Sequence, residues 1–120
     1  MGSRAVQIGS VVIDVKDFAR MVSFWGAALG YKTRGPPTPG DDFAILRDPS
    51  GKLPNVSIDG MEPERGRIHL DLYTDDQEGE VARLLRLGAT QYRPREPGED
   101  FIVLEDPERN LFCVVDTKGY

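Results

Sequence analysis

The chain of 120 residues is the size of one domain, long enough to bury about two thirds of the surface its unfolded form exposes. Apolar residues make up 39%, which excludes a disordered tract. The net charge of -5 argues against nucleic acid or an anionic membrane as partner, because both demand a positive surface. Eleven arginines and four lysines are present, but the arginines are interleaved with acids rather than clustered. The single Cys113 leaves no internal disulfide and points to a reducing compartment. No secretory leader opens the chain and no apolar run approaches the about 18 residues of a membrane span, so the expectation is a soluble, cytoplasmic protein.

Gln7 to Val15 reads as a strand, Val11, Ile13 and Val15 alternating against Ser10, Val12 and Asp14. Asp17 is placed to cap a helix over Phe18 to Leu29, whose Phe18, Met21, Val22, Trp25 and Leu29 fall at helical spacing. Gly30 is suited to end it in a left-handed conformation. A short strand at Tyr31 to Arg34 comes next, then a proline-rich loop to Asp41. Strands at Asp42 to Arg47 and Asn55 to Ile58 flank a turn at Asp48 to Gly51. Gly60 to Gly66 is the polar boundary between two halves.

The order then recurs. Arg67 to Thr74 reads as a strand, Asp76 to Leu87 as a helix, and Thr90 to Arg93 as a short strand. After a loop come strands at Glu99 to Glu105 and Asn110 to Val115, then a tail from Thr117. The wording repeats as well as the order. Pro39-Gly40-Asp41-Asp42-Phe43 through Asp48-Pro49 matches Pro97-Gly98-Glu99-Asp100-Phe101 through Asp106-Pro107 at one constant offset. Ser10 and Asp17 match His69 and Asp76 at nearly the same offset. Two copies imply two similar modules, about 7–59 and 67–116, each strand-helix-strand-strand-strand. The expected class is α+β, with two tandem βαβββ modules forming a curved eight-stranded mixed sheet around a cavity.

The chemistry centres on His69-Leu70-Asp71-Leu72-Tyr73. Alternation puts His69, the only histidine, on one strand face with Asp71 and Tyr73, and the two leucines on the other. His69 is a candidate proton carrier or ligand donor, because imidazole ordinarily titrates near about 6.5. Asp71 is placed to orient it or to act as a base. Both are candidate catalytic residues. Asp14 occupies the repeat position of Tyr73 and is a further pocket candidate, with Arg47 as its expected ion-pair partner. Trp25 offers an aromatic wall, and Phe43 and Phe101 sit at equivalent positions suited to stack on a flat ligand. A glycine-rich dinucleotide or phosphate loop is absent, and nothing resembles a nucleophile elbow around Ser10 or Ser57.

Val15-Lys16-Asp17 before Phe24-Trp25 and Leu29-Gly30, then Arg67-Ile68-His69-Leu70-Asp71-Leu72, Leu87-Gly88-Ala89 and Asp106-Pro107-Glu108-Arg109-Asn110 together resemble the vicinal oxygen chelate superfamily. That superfamily holds glyoxalases, extradiol dioxygenases and bleomycin-resistance proteins, and the wording is nearest its glyoxalase-like branch. The resemblance spans about Gln7 to Val115. It implies a small organic ligand in a central cavity, and a homodimer. Its metal-dependent members place one ligand on each of four strands, typically two histidines and two glutamates. Carried over, these positions fall on Ser10, on Val56 or Ser57, on His69 and on Cys113. Only His69 keeps a ligand of the usual kind, so the expectation is binding without metal or other cofactor. A softer set of Cys113, His69 and Asp71 is the metal alternative, and acid–base chemistry by His69 and Asp71, of isomerase or lyase type, the enzymatic one. A metal-dependent lyase or dioxygenase stands behind both.

Overall fold

The computed structural model describes residues 6–61 and 67–118. The elements run β1 (Gln7–Asp14), α1 (Phe18–Leu29), β2 (Phe43–Leu46), β3 (Asn55–Asp59), β4 (Ile68–Thr74), α2 (Gln77–Arg86), β5 (Thr90–Gln91), β6 (Phe101–Glu105) and β7 (Leu111–Asp116). This is an α+β fold with a mixed sheet and the expected repeat of order. Among the described residues the strands number seven rather than eight. The missing one is Tyr31 to Arg34, which makes only a single bridge, Lys32 to Arg47. Gly35-Pro36-Pro37 turns the chain away directly after it, and proline has no N–H to extend a ladder. Part of the Gly60 to Gly66 connection and the last residues of the tail fall outside the described residues.

Two compact units divide the chain. Among the described residues, those within Ser10–Ile68 form one, and residues 6–9 together with 69–118 form the other. In the first unit the strand order is β2-β3-β1. β1 runs parallel to β3, with Val12 beside Ser57 and Asp14 beside Asp59. β2 runs antiparallel to β3, with Phe43 beside Asp59 and Ile45 beside Ser57. The alternation gives α1 one face to cover. Val15, Val22, Leu46 and Ile58 form the buried centre, with Ile13, Phe18, Met21, Trp25 and Ala44 packed around it. Asp17 caps α1 by accepting from the Arg20 N–H, and Gly30 closes it at φ 70°.

The second unit is built the same way, in the order β4-β7-β6-β5. β4 runs parallel to β7, setting Asp71 beside Cys113 and Leu72 beside Val114. β6 runs antiparallel to β7, setting Val103 beside Cys113 and Phe101 beside Val115. α2 covers the face that carries Val114 and Leu104; with Val81 these make the core, flanked by Leu84, Ile102 and Phe112. Asp76 caps α2 through the Gly79 N–H. The face away from α2 is left to His69, Asp71, Tyr73 and Cys113.

Candidate functional site

Register, not proximity in sequence, assembles the site. Asp71 on β4 pairs with Cys113 on β7, which pairs with Val103 on β6. Tyr92 N–H donates to the Val103 carbonyl and extends the row one strand further. His69 lies one step along β4. Its Nε2 is 3.5 Å from Asp71 Oδ1, and both side chains are only partly exposed. A nitrogen of His69, a carboxylate oxygen of Asp71 and the Cys113 sulfur all lie within 4.8 Å of one another. Burial pushes the Cys113 thiol up to about 12, and the negative charge of Asp71 adds to the shift. The sulfur therefore stays protonated near neutrality and contributes a weak S–H donor rather than a nucleophile.

Tyr73 holds the next position on the same face of β4, and its ring lies over the backbone of Gly9. A Cβ built at Gly9 would overlap that ring. A strand glycine marks a close approach of this kind, and Gly9 beside Ser10 was the visible sign of it in the sequence. Phe101 completes the row at Val115. One face of its ring carries the Arg93 guanidinium, 5.7 Å from the centroid. Arg93 is in turn clamped by Glu99 through two parallel bonds of 2.9 and 2.8 Å. That clamp and the Glu96 N–H hold the Glu99 carboxyl down at about 2. Neither Arg93 nor Glu99 stood out in the sequence, because the loop between them holds Pro94 and Pro97 and has no periodicity.

The other expected site residues lie in the first unit. Phe43 and Asp14 sit at one end of its sheet, both level with Asp59. Arg47 lies at the opposite end, one residue past Leu46, which pairs with Val56. The expected Asp14–Arg47 ion pair is therefore not formed; strand direction separates the two. Trp25 lies on α1. It packs against the helix-side core of the first unit and meets Phe24 edge-to-face at 5.2 Å, on the sheet face opposite Ser10 and Ser57.

The duplicated register also settles the second position carried over from the metal enzymes. Val12 beside Ser57 repeats Asp71 beside Cys113, so the position is Ser57 and not Val56. Ser10 and Ser57 are both fully buried, and their hydroxyls are bonded to each other. A two-histidine, two-glutamate metal site does not fit these residues. Two of its four positions hold buried hydroxyls bonded to each other, and a third holds a protonated thiol. The His69, Asp71 and Cys113 donors form a different, softer set.

A family model described as the glyoxalase-like domain matches residues 10–115. No curated protein sequence matches the chain. Several solved structures share the fold. A protein described as an NAD-dependent benzaldehyde dehydrogenase from Legionella pneumophila is 18% identical, with a TM-score of 0.66 over 88% of this chain and 96% of that one. A glyoxalase/bleomycin resistance protein/dioxygenase superfamily member from Vibrio splendidus is 18% identical, with a TM-score of 0.64 over 91% and 96%. Methylmalonyl-CoA epimerase from Mycobacterium tuberculosis is 18% identical, with a TM-score of 0.61 over 96% and 91%. The family match over most of its length, on a fold these structures share, shows that the chain belongs to the glyoxalase-like domain family of the vicinal oxygen chelate superfamily.

Proposed function

We propose that the protein binds a small organic molecule against the helix-free face of its second unit, using His69, Asp71 and Tyr73, with no metal required. The observation that carries this reading is the convergence of nitrogen, carboxylate and sulfur donors within 4.8 Å on a half-buried strand face. A plain core has no use for such a concentration of polar groups, whereas polar groups converging in apolar surroundings are the usual pattern of ligand sites. Val103 and Val115, beside Cys113 and Phe101, supply the apolar surroundings. The protein acts in the cytoplasm as a homodimer in this reading.

A second reading makes the site catalytic. His69 and Asp71 form a contact of 3.5 Å, close enough for the carboxylate to orient the imidazole while a carbon acid next to a carbonyl loses or gains a proton. Epimerases with this fold bring that class of reaction into the comparison. A third reading places a soft cation on His69, Asp71 and Cys113, favoured by the donor spacing and opposed by the high thiol pKa, since the ion must displace that proton.

A thermal-shift screen of small organic molecules, with turnover assays on the hits, separates these readings. Binding lost in His69→Ala or Asp71→Asn, without turnover in the wild type, supports sequestration. Turnover lost in the same variants while binding persists supports acid–base chemistry. Elemental analysis giving about one transition metal per chain, lost in Cys113→Ser, selects the cation. Hits whose binding and turnover are both unchanged in all these variants and in Tyr73→Phe remove the site altogether.

A further inference from the structure

The first unit holds a cleft that the proposed function does not use. An open cleft of about 220 Å³ runs between the Thr33–Pro37 loop and β2, the edge strand of that unit. Pro36, Pro37, Ala44 and Ile45 give it apolar walls, and Arg34 and Arg47 give it charge. The bridge between Lys32 and Arg47, with backbone bonds of 2.9 and 2.8 Å, ties the start of the loop to the residue after β2.

Arg47 is the informative group. Its Nε–H is shielded from water and has no acceptor among the described residues. A buried donor left without a partner is rare in a folded protein. A guanidinium cannot shed its charge to escape such a position. Neither Arg47 nor Arg34 forms an ion pair with a described residue. The one carboxylate in the lining, Asp41, is already committed. It accepts from the Thr38 N–H at 2.7 Å and the Thr38 hydroxyl at 2.9 Å. The cleft therefore carries two cations, one of them part-buried, against a single anion already bonded to Thr38.

We propose that this cleft binds a carboxylate carried on a small apolar body, held by the guanidinium groups of Arg47 and Arg34. A guanidinium presents a planar fork that fits a carboxylate edge-on, and the proline and aliphatic walls cover the body behind it. Asp41 selects a singly charged carboxylate over a phosphoryl dianion, because a second negative charge would be repelled across the cleft.

Benzoate serves as probe, with benzamide as its neutral counterpart and phenyl phosphate as the dianion. Binding is read from the side-chain Nε–H resonances of the arginines in isotope-labelled full-length protein. Benzoate is expected to shift the Arg47 signal saturably, benzamide to leave it in place, and phenyl phosphate to bind more weakly than benzoate. Arg47→Gln should weaken benzoate on the order of tenfold, as loss of a charged hydrogen bond does. Arg34→Gln, on the exposed loop, tests the same contact without touching a strand and should weaken binding too. Equal binding of benzamide, tighter binding of phenyl phosphate, no saturation with benzoate, or unchanged affinity in both variants would each overturn the assignment. So would benzoate shifts confined to His69 and Tyr73.

Discussion

Cys113 shows how a neighbour sets the chemistry of a residue. It has the look of a nucleophile, a lone cysteine near a lone histidine, yet burial and Asp71 keep its thiol protonated up to about 12. Native protein should therefore alkylate slowly with iodoacetamide at pH 7 to 8, and quickly once unfolded. Asp71→Asn removes a charge that raises the thiol pKa, so the variant should react faster than wild type across that range; an equal or slower rate would remove Asp71 as a cause. Gly9 acts by having no side chain. Gly9→Ala drives a methyl into the Tyr73 ring and should cost about 1–3 kcal/mol of unfolding free energy, as overpacking does. Chemical denaturation measures that cost. At this scale the sequence was partly legible. The alternation around His69 put His69, Asp71 and Tyr73 on one face without any structure. What it could not supply was the cross-strand neighbour: Cys113 is far beyond Asp71 in the chain, with α2, β5 and β6 between them, and beside it in the sheet.

Elements rather than residues carry the response to acid. Glu99 closes the loop ahead of β6, holding Arg93 by its carboxylate and Arg95 by its backbone carbonyl. Its pKa in the folded state is about 2, below the ordinary 4.5. The unfolded chain thus takes up its proton first as pH falls. The stabilisation is complete above 4.5 and is lost on the way down to about 2. Wild type should melt at higher temperature than Glu99→Gln at pH 6, and the gap should narrow between pH 4.5 and 2. A gap that stays constant over that window would show that the ionised carboxylate of Glu99 contributes nothing through this pair. Helices were the most legible elements. α1 starts and ends where its aspartate cap and glycine stop place it, and α2 falls short by one residue at each end. Strand edges were less so. Tyr31 to Arg34 has the composition of a strand, but a ladder needs a partner along its whole length, and the prolines after it withdraw one.

For the whole molecule, the duplication was the most visible property, because two copies of one phrase at a fixed offset need no structural knowledge to find. Assembly is a different matter. Phe24, Leu53, Met61, Ile68 and Leu87 are all more than half exposed, apolar area that a homodimer would have available to cover. Light scattering should give about twice the 13.3 kDa chain mass at micromolar concentration. A monomer there would end the homodimer reading. No helix among the described residues is long and apolar enough to cross a membrane.

The buried pair Ser10 and Ser57 has a bearing on how this chain can change over time. Each hydroxyl is the other's partner in a place water does not reach. Replacing either alone with alanine strands the remaining hydroxyl, at about 1–3 kcal/mol. Replacing both removes the need along with the supply, so the double variant should be more stable than the sum of the singles predicts, which a double-mutant cycle measures. Such a pair is a ratchet on descent. A lineage leaves it only by two changes, the first of them unfavourable, or by a first change that brings its own partner. Recruiting the first module to new chemistry through these two positions must cross that barrier.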